Sequence, residues 1–141
     1  MTDPTREAYD AVVYHSRPQP DAHPDALATV ATLMGLAPPP VTACRVFEIG
    51  CGTGGHLLPM AAALPGSEFV GVDLSPVQVE AAEATRAELG LTNVRFVAAS
   101  VADLDPALGA FDYIIAHGVY SWVPPGVREA LLAAYRRHLS P

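Results

Sequence analysis

Apolar positions fall along this chain in two rhythms. Four short runs, residues 45–49, 68–72, 94–98 and 111–116, are mainly apolar and rich in branched or aromatic side chains. Such near-continuous runs suit parallel strands buried on both faces. Between them apolar residues recur at helical spacing. One helix is expected over 54–64, with Pro59 in its second turn distorting it near the free N-terminal end. A second starts at Ser75-Pro76: Ser75 caps, Pro76 takes the first helical position, Gln78 completes an S-x-x-Q capping box, and Gly90 ends the helix. A third starts at Pro124-Pro125, with Val127, Leu131, Tyr135 and Leu139 along one face. Strands alternating with helices predict an open α/β sheet.

Residues 1–44 read as a helical arm placed before this sheet, and 45–141 as the sheet domain. In the arm a short helix is expected over 5–13. Pro18 and Pro20 then hold the chain extended, and a helix runs over 24–34, with Asp25 in its first turn and Gly35 at its end. Pro38-Pro39-Pro40 is a stiff spacer and marks the boundary. The rhythm stops at Leu139-Ser140-Pro141, straight after a helix. A helix in such a sheet normally leads into the next strand, so the chain reads as the front part of a longer protein.

Composition narrows the function. Half of the 141 residues are apolar and 16% are charged, as in a soluble globular domain. Fifteen acidic residues against eight basic ones give a net charge of -7. That balance argues against a protein built to grip nucleic-acid phosphates or an anionic membrane. Every basic residue is Arg, which excludes a Lys Schiff base and a phosphate-loop Lys. No apolar stretch reaches the roughly 18–20 residues of a membrane span, and the acidic start is unlike a secretory signal. Cys44 and Cys51 fit no metal or redox spacing and read as reduced cytoplasmic thiols. The histidines His15, His23, His56, His117 and His138 are scattered, so no metal site is expected.

The chemistry gathers where strands end. The segment EIGCGTGG, residues 48–55, leaves the first strand and opens a helix. Gly50 permits a tight turn, Gly52 bares the backbone to a ligand, and Gly54 with Gly55 lets the helix start close to the strand. Free N–H groups there form an anion-accepting ledge. Gly50, Gly52 and Gly55 spell the GxGxxG dinucleotide fingerprint; Glu48 with Gly50, Gly52 and Gly54 spells ExGxGxG. The second strand ends at Asp73, followed by Leu74; a carboxylate there can accept from both ribose hydroxyls of an adenosine. After the third strand, Asp103, or less favourably Ser100, can meet an adenine amino group, while the backbone near Val101 meets a ring nitrogen. After the fourth, HGVYSWVP places His117, Tyr120 and Trp122 at the same edge. His117 is a candidate contact to cofactor or acceptor and the candidate general base. Trp122 is expected as a core plug beneath the last helix. In the arm, Tyr14, Ser16 and Arg17 form a candidate lid, with Arg17 placed to reach a carboxylate. Arg136, Arg137 and His138 read as solvated charge at a helix end.

EIGCGTGG, GVDLS before a Pro-started helix, and FDYIIAHGVYSWVP together resemble a class I S-adenosylmethionine-dependent methyltransferase. The arm YHSRPQPDAHPDALATVATLMGL and the HGVYSWVP loop are similar to bacterial methyltransferases with a downstream methyltransferase regulatory domain, some of which methylate protein lysines. The resemblance implies a Rossmann-like sheet of order 3-2-1-4-5-7-6, of which four strands are present here, and S-adenosylmethionine as cofactor. It places Glu48 at the methionine part, the backbone of Gly50, Cys51, Gly52 and Gly54 beneath the cofactor, and Asp73 at the ribose. Many relatives carry an acid where Ser100 stands. The Asn/Asp-Pro-Pro-aromatic motif of amino-group nucleic-acid methylases is replaced by Ala116-His117-Gly118-Val119, which argues against a DNA base as acceptor. Two alternatives stay open: an NAD(P)- or FAD-dependent oxidoreductase using GxGxxG, and a cofactor-binding or interaction module without catalysis.

Overall fold

A computed structural model describes residues 16–141. The helix expected over 5–13 and the lid residue Tyr14 lie outside the described residues. Four parallel strands form the sheet: β1 (Arg45–Ile49), β2 (Glu68–Asp73), β3 (Val94–Ala98) and β4 (Tyr113–Ile115). Their order is β3-β2-β1-β4, the first four positions of the expected sheet. Register pairs Glu48 of β1 with Gly71 of β2 on one side and with Ile115 of β4 on the other. Among the described residues four α-helices occur: α1 (Pro24–Leu33), α2 (Leu57–Ala63), α3 (Pro76–Glu88) and α4 (Pro125–His138).

Alternate side chains of the strands feed two cores. Val46, Phe69, Phe96, Tyr113 and Ile115 pack with Leu57 and Met60 of α2 and Val79 and Ala82 of α3. Phe47, Ile49, Val70, Val72 and Phe111 pack with Leu131 and Ala134 of α4. Covering both faces is what the mainly apolar runs require. The arm is tied to this sheet: the Tyr113 hydroxyl donates to the Pro39 carbonyl at 2.6 Å, which pins the proline spacer.

Several expectations shift. α2 starts at Leu57, not residue 54, because Gly52 and Gly54 hold positive φ and extend the turn. Pro59 therefore falls in the first turn, where its missing N–H has no partner to lose, and it does not distort the helix. β4 is shorter than residues 111–116. Phe111 instead makes an isolated parallel bridge to Leu139: its N–H donates to the His138 carbonyl at 2.7 Å, and Ser140 N–H donates to the Phe111 carbonyl at 2.8 Å. Leu139 accordingly leaves the buried stripe of α4 and is exposed. His138 is not solvated charge. It is 1% exposed, lies edge-on to Phe47, and its Nδ1 pairs with the Gly109 carbonyl at 2.8 Å. Trp122 is not a core plug either; it is 82% exposed, since Leu131 and Ala134 already fill the space under α4.

Candidate functional site

The carboxyl edge of the sheet carries the site, and its geometry begins with the glycine turn. Gly50 and Cys51 donate their N–H groups to the Val72 carbonyl at 2.7 and 3.1 Å. These bonds fold the turn back onto the tip of β2. Gly50, Gly52 and Gly54 have φ of 78°, 53° and 76°. Side-chain-bearing residues rarely adopt this region, which explains the glycines directly. Gly54 also faces Phe96: a Cβ there would stand 2.7 Å from the ring, so α2 can lie this close to the sheet only without one.

Asp73 meets that turn. Its Oδ2 accepts the Gly52 N–H at 2.8 Å and its Oδ1 accepts the Ser75 N–H at 3.0 Å. Ser75 Oγ in turn accepts the Gln78 N–H at 3.3 Å, so the cap at the start of α3 forms as expected, while Ser75's own N–H goes to Asp73. Each carboxylate oxygen has one donor and keeps a further lone pair. Asp73 is half-buried at the rim, and Leu74 follows it, also half-buried.

The ledge above the glycines is not bare. A Cβ on Gly50 would stand 2.5 Å from Cγ2 of Val119, and one on Gly52 would stand 3.1 Å from Oε1 of Gln78 and 3.5 Å from Cβ of Ser16. Ser16 is the arm's contact: its Oγ accepts the Gly55 N–H at 2.7 Å and lies 3.3 Å from Thr53 Oγ1. Its backbone carbonyl crosses so near Gly55 that no Cβ would fit between them, which gives that glycine its reason. Arg17, the expected carboxylate partner, is exposed.

The remaining predicted positions follow β3 and β4, at the same edge of the parallel sheet. Ser100 Oγ accepts the Ala102 N–H at 3.2 Å and caps the single turn Val101–Asp103, which leaves Asp103 exposed and Val101 half-buried. His117 is exposed on the turn after β4, the same turn that delivers Val119 to Gly50.

One member of the site was missed by sequence reasoning. His56, at the end of the glycine turn, is 3% exposed, and its Nδ1 lies 3.0 Å from Oε1 of Glu48, itself 5% exposed. Among the described residues, Oε2 of Glu48 and Nε2 of His56 have no hydrogen-bond partner. The signal available was their spacing, eight residues apart across a tight turn. Cys51 is buried, and its thiol is pushed well up, first by burial and then by the charges of Glu48 and Asp73. Cys51 and Cys44 are buried and form no disulfide. Beside His56 a cleft of about 410 Å³ opens under the arm, lined among others by Gln19, His23, Asp25 and Met60. Among the described residues, no helix is long and apolar enough to cross a membrane.

Comparison with known proteins fits this architecture. The family model described as Methyltransferase domain matches residues 46–141. The chain is 46% identical over 132 residues to an uncharacterized protein of Rickettsia prowazekii, covering 94% of this chain and 24% of that protein. A second uncharacterized protein of that organism is 41% identical over 134 residues, covering 95% of this chain and 54% of the relative. The chain thus spans about a quarter and about half of the lengths of these two. Among solved structures, PKMT2 from Rickettsia typhi in complex with AdoHcy superposes with a TM-score of 0.87 at 40% identity, over 91% of this chain and 25% of that one.

Proposed function

This chain belongs to the methyltransferase-domain family, and from that premise we propose that it binds S-adenosylmethionine and holds it for methyl transfer to an acceptor. The observation that carries the reading is the junction of Asp73 with the glycine turn, Gly52 N–H to Oδ2 at 2.8 Å. It brings a carboxylate with spare lone pairs to a backbone that folds around glycine. The orphaned Oε2 of Glu48 supplies the second fit, a buried acceptor lacking a donor. In this reading Asp73 takes the ribose hydroxyls, Gly50, Cys51, Gly52 and Gly54 underlie the thioether, and Glu48 receives the ammonium of the methionyl end. Ser100, Val101 and Asp103 border the adenine, with Leu74 against the nucleoside. AdoHcy in the complex of PKMT2 from Rickettsia typhi supports the same choice of cofactor.

When bound, S-adenosylmethionine supplies a methyl group on a cationic sulfur that needs no covalent help to leave. The residues here therefore have to orient and to exclude water. The arm before residue 45 acts as the lid, through Ser16 on Gly55. The turn carrying Val119 closes the opposite side, and His117 on it offers a ring nitrogen to take a proton from the acceptor. Two buried unpaired thiols suit a reducing compartment, and we place the protein in the cytoplasm.

A thermal-shift comparison tests the reading. S-adenosylhomocysteine at about 100 times its Kd should stabilise the fold by about 2.7 kcal/mol and raise Tm by several degrees. NADH should leave Tm unchanged. Stabilisation by NADH and not by the homocysteine compound overturns the proposal in favour of an oxidoreductase.

A further inference from the structure

We infer that His56 is a positioning residue for the cofactor's amino-acid end, acting through Glu48: its Nδ1–H holds one carboxylate oxygen so that the other is presented to an ammonium. The inference rests on the cofactor reading above and adds a residue to it.

The geometry is specific. Glu48 sits on the central strand two positions before Gly50, 5% exposed, on the face it shares with Val46 and the apolar side chains of α2. A carboxylate in that setting needs donors, because a buried polar atom left unpaired costs about 1–3 kcal/mol and more when charged. Only Oε1 has one, from His56 at 3.0 Å. Oε2 is shielded from solvent and has none among the described residues. Natural interiors rarely leave such an atom orphaned, so its position calls for an outside donor. A primary ammonium, with three N–H groups and no acceptor, is the matching chemistry for an acceptor-only oxygen.

Among the described residues, the His56 side chain makes no other hydrogen bond. It occupies the position ahead of α2 where a side chain would cap the helix, yet it makes no capping bond. Its Nδ1 is spent on Glu48, and the residue lines the cleft under the arm together with His23 and Asp25. Donation from Nδ1 fixes the orientation of the ring and the rotation of the carboxylate together. Without it the carboxylate can turn, and its free oxygen is no longer aimed.

The test separates the two ends of the ligand. Calorimetry on the 141-residue chain compares S-adenosylhomocysteine with 5′-methylthioadenosine, the same nucleoside thioether without the amino-acid end. His56→Leu should weaken the homocysteine compound about tenfold, the scale of one charged hydrogen bond, and leave methylthioadenosine within about twofold. His56→Asn, whose amide can reproduce the Nδ1 donor, should restore the lost affinity. His56→Gln, whose amide stands one carbon further out, should not. Should the Leu variant fail to fold, the Asn and Gln pair decides. Parallel weakening of both ligands, or no weakening of either, overturns the positioning role alone. A wild-type chain that binds neither ligand overturns the cofactor reading, and this inference with it.

Discussion

Gly52 donates its backbone N–H to Oδ2 of Asp73 at 2.8 Å, across 21 positions of sequence. The bond joins the tip of β2 to the turn that leaves β1. It orients the carboxylate by backbone and not by a mobile side chain, and the Ser75 N–H does the same for Oδ1. A ligand arriving at this edge meets an acid already in place.

Asp73→Ala removes that acid and both of its backbone acceptor bonds. Binding of S-adenosylhomocysteine should weaken by about 10- to 100-fold, the scale of one to two charged hydrogen bonds. Calorimetry reads this directly. Unchanged affinity would show that Asp73 serves only to tie β2 to the turn.

Gly52→Val tests the ledge. At φ 53° a β-branched residue is strained by about 1–3 kcal/mol, and its Cβ would press on Oε1 of Gln78, 3.1 Å away. Cofactor binding should be abolished while the far-ultraviolet circular dichroism spectrum keeps its α/β shape. A variant that binds normally would place the ligand away from this turn.

Much of this layout was legible in the chain before any coordinates. The strands over 45–49 and 94–98 have the bounds that their mainly apolar runs suggest, because the branched and aromatic side chains of each run fill the two cores. Ser75 and Pro76 announced the start of α3, since capping chemistry is local. What stayed hidden depends on distance in sequence. Ser16 stood in the candidate lid, but its partner Gly55 lies 39 positions on, and no local pattern marks that contact. His138 looked like the end of a charged run, but the Phe111–Leu139 bridge draws it inward against Phe47. Trp122 looked like a plug because large aromatics usually bury themselves.

Trp122 turns that correction into a measurement. It is the sole tryptophan of the chain, so intrinsic fluorescence reports it alone. Its emission should match a water-exposed indole and barely move on unfolding in guanidinium. Trp122→Ala should shift Tm by no more than about 1 °C, as substitutions away from packed contacts do. A red shift on unfolding would mean that the loop after β4 packs in solution.

Ser16→Ala asks whether the arm is held on the site by its hydroxyl. The variant leaves the Gly55 N–H without its 2.7 Å acceptor and removes the contact to Thr53. A lost capping-type bond at a helix start costs about 1 kcal/mol, too little to unfold the sheet but enough to loosen a segment with few other ties. Cleavage by endoproteinase Asp-N before Asp21, exposed in the same arm, should therefore quicken about fivefold in the variant, while Tm of the sheet domain moves by a few degrees at most. Saturating S-adenosylhomocysteine should slow the cleavage in the wild type if the arm closes over it. Equal cleavage rates in the two proteins would show that the Ser16 backbone, pressed on Gly55, is what secures the arm, and that the hydroxyl adds nothing.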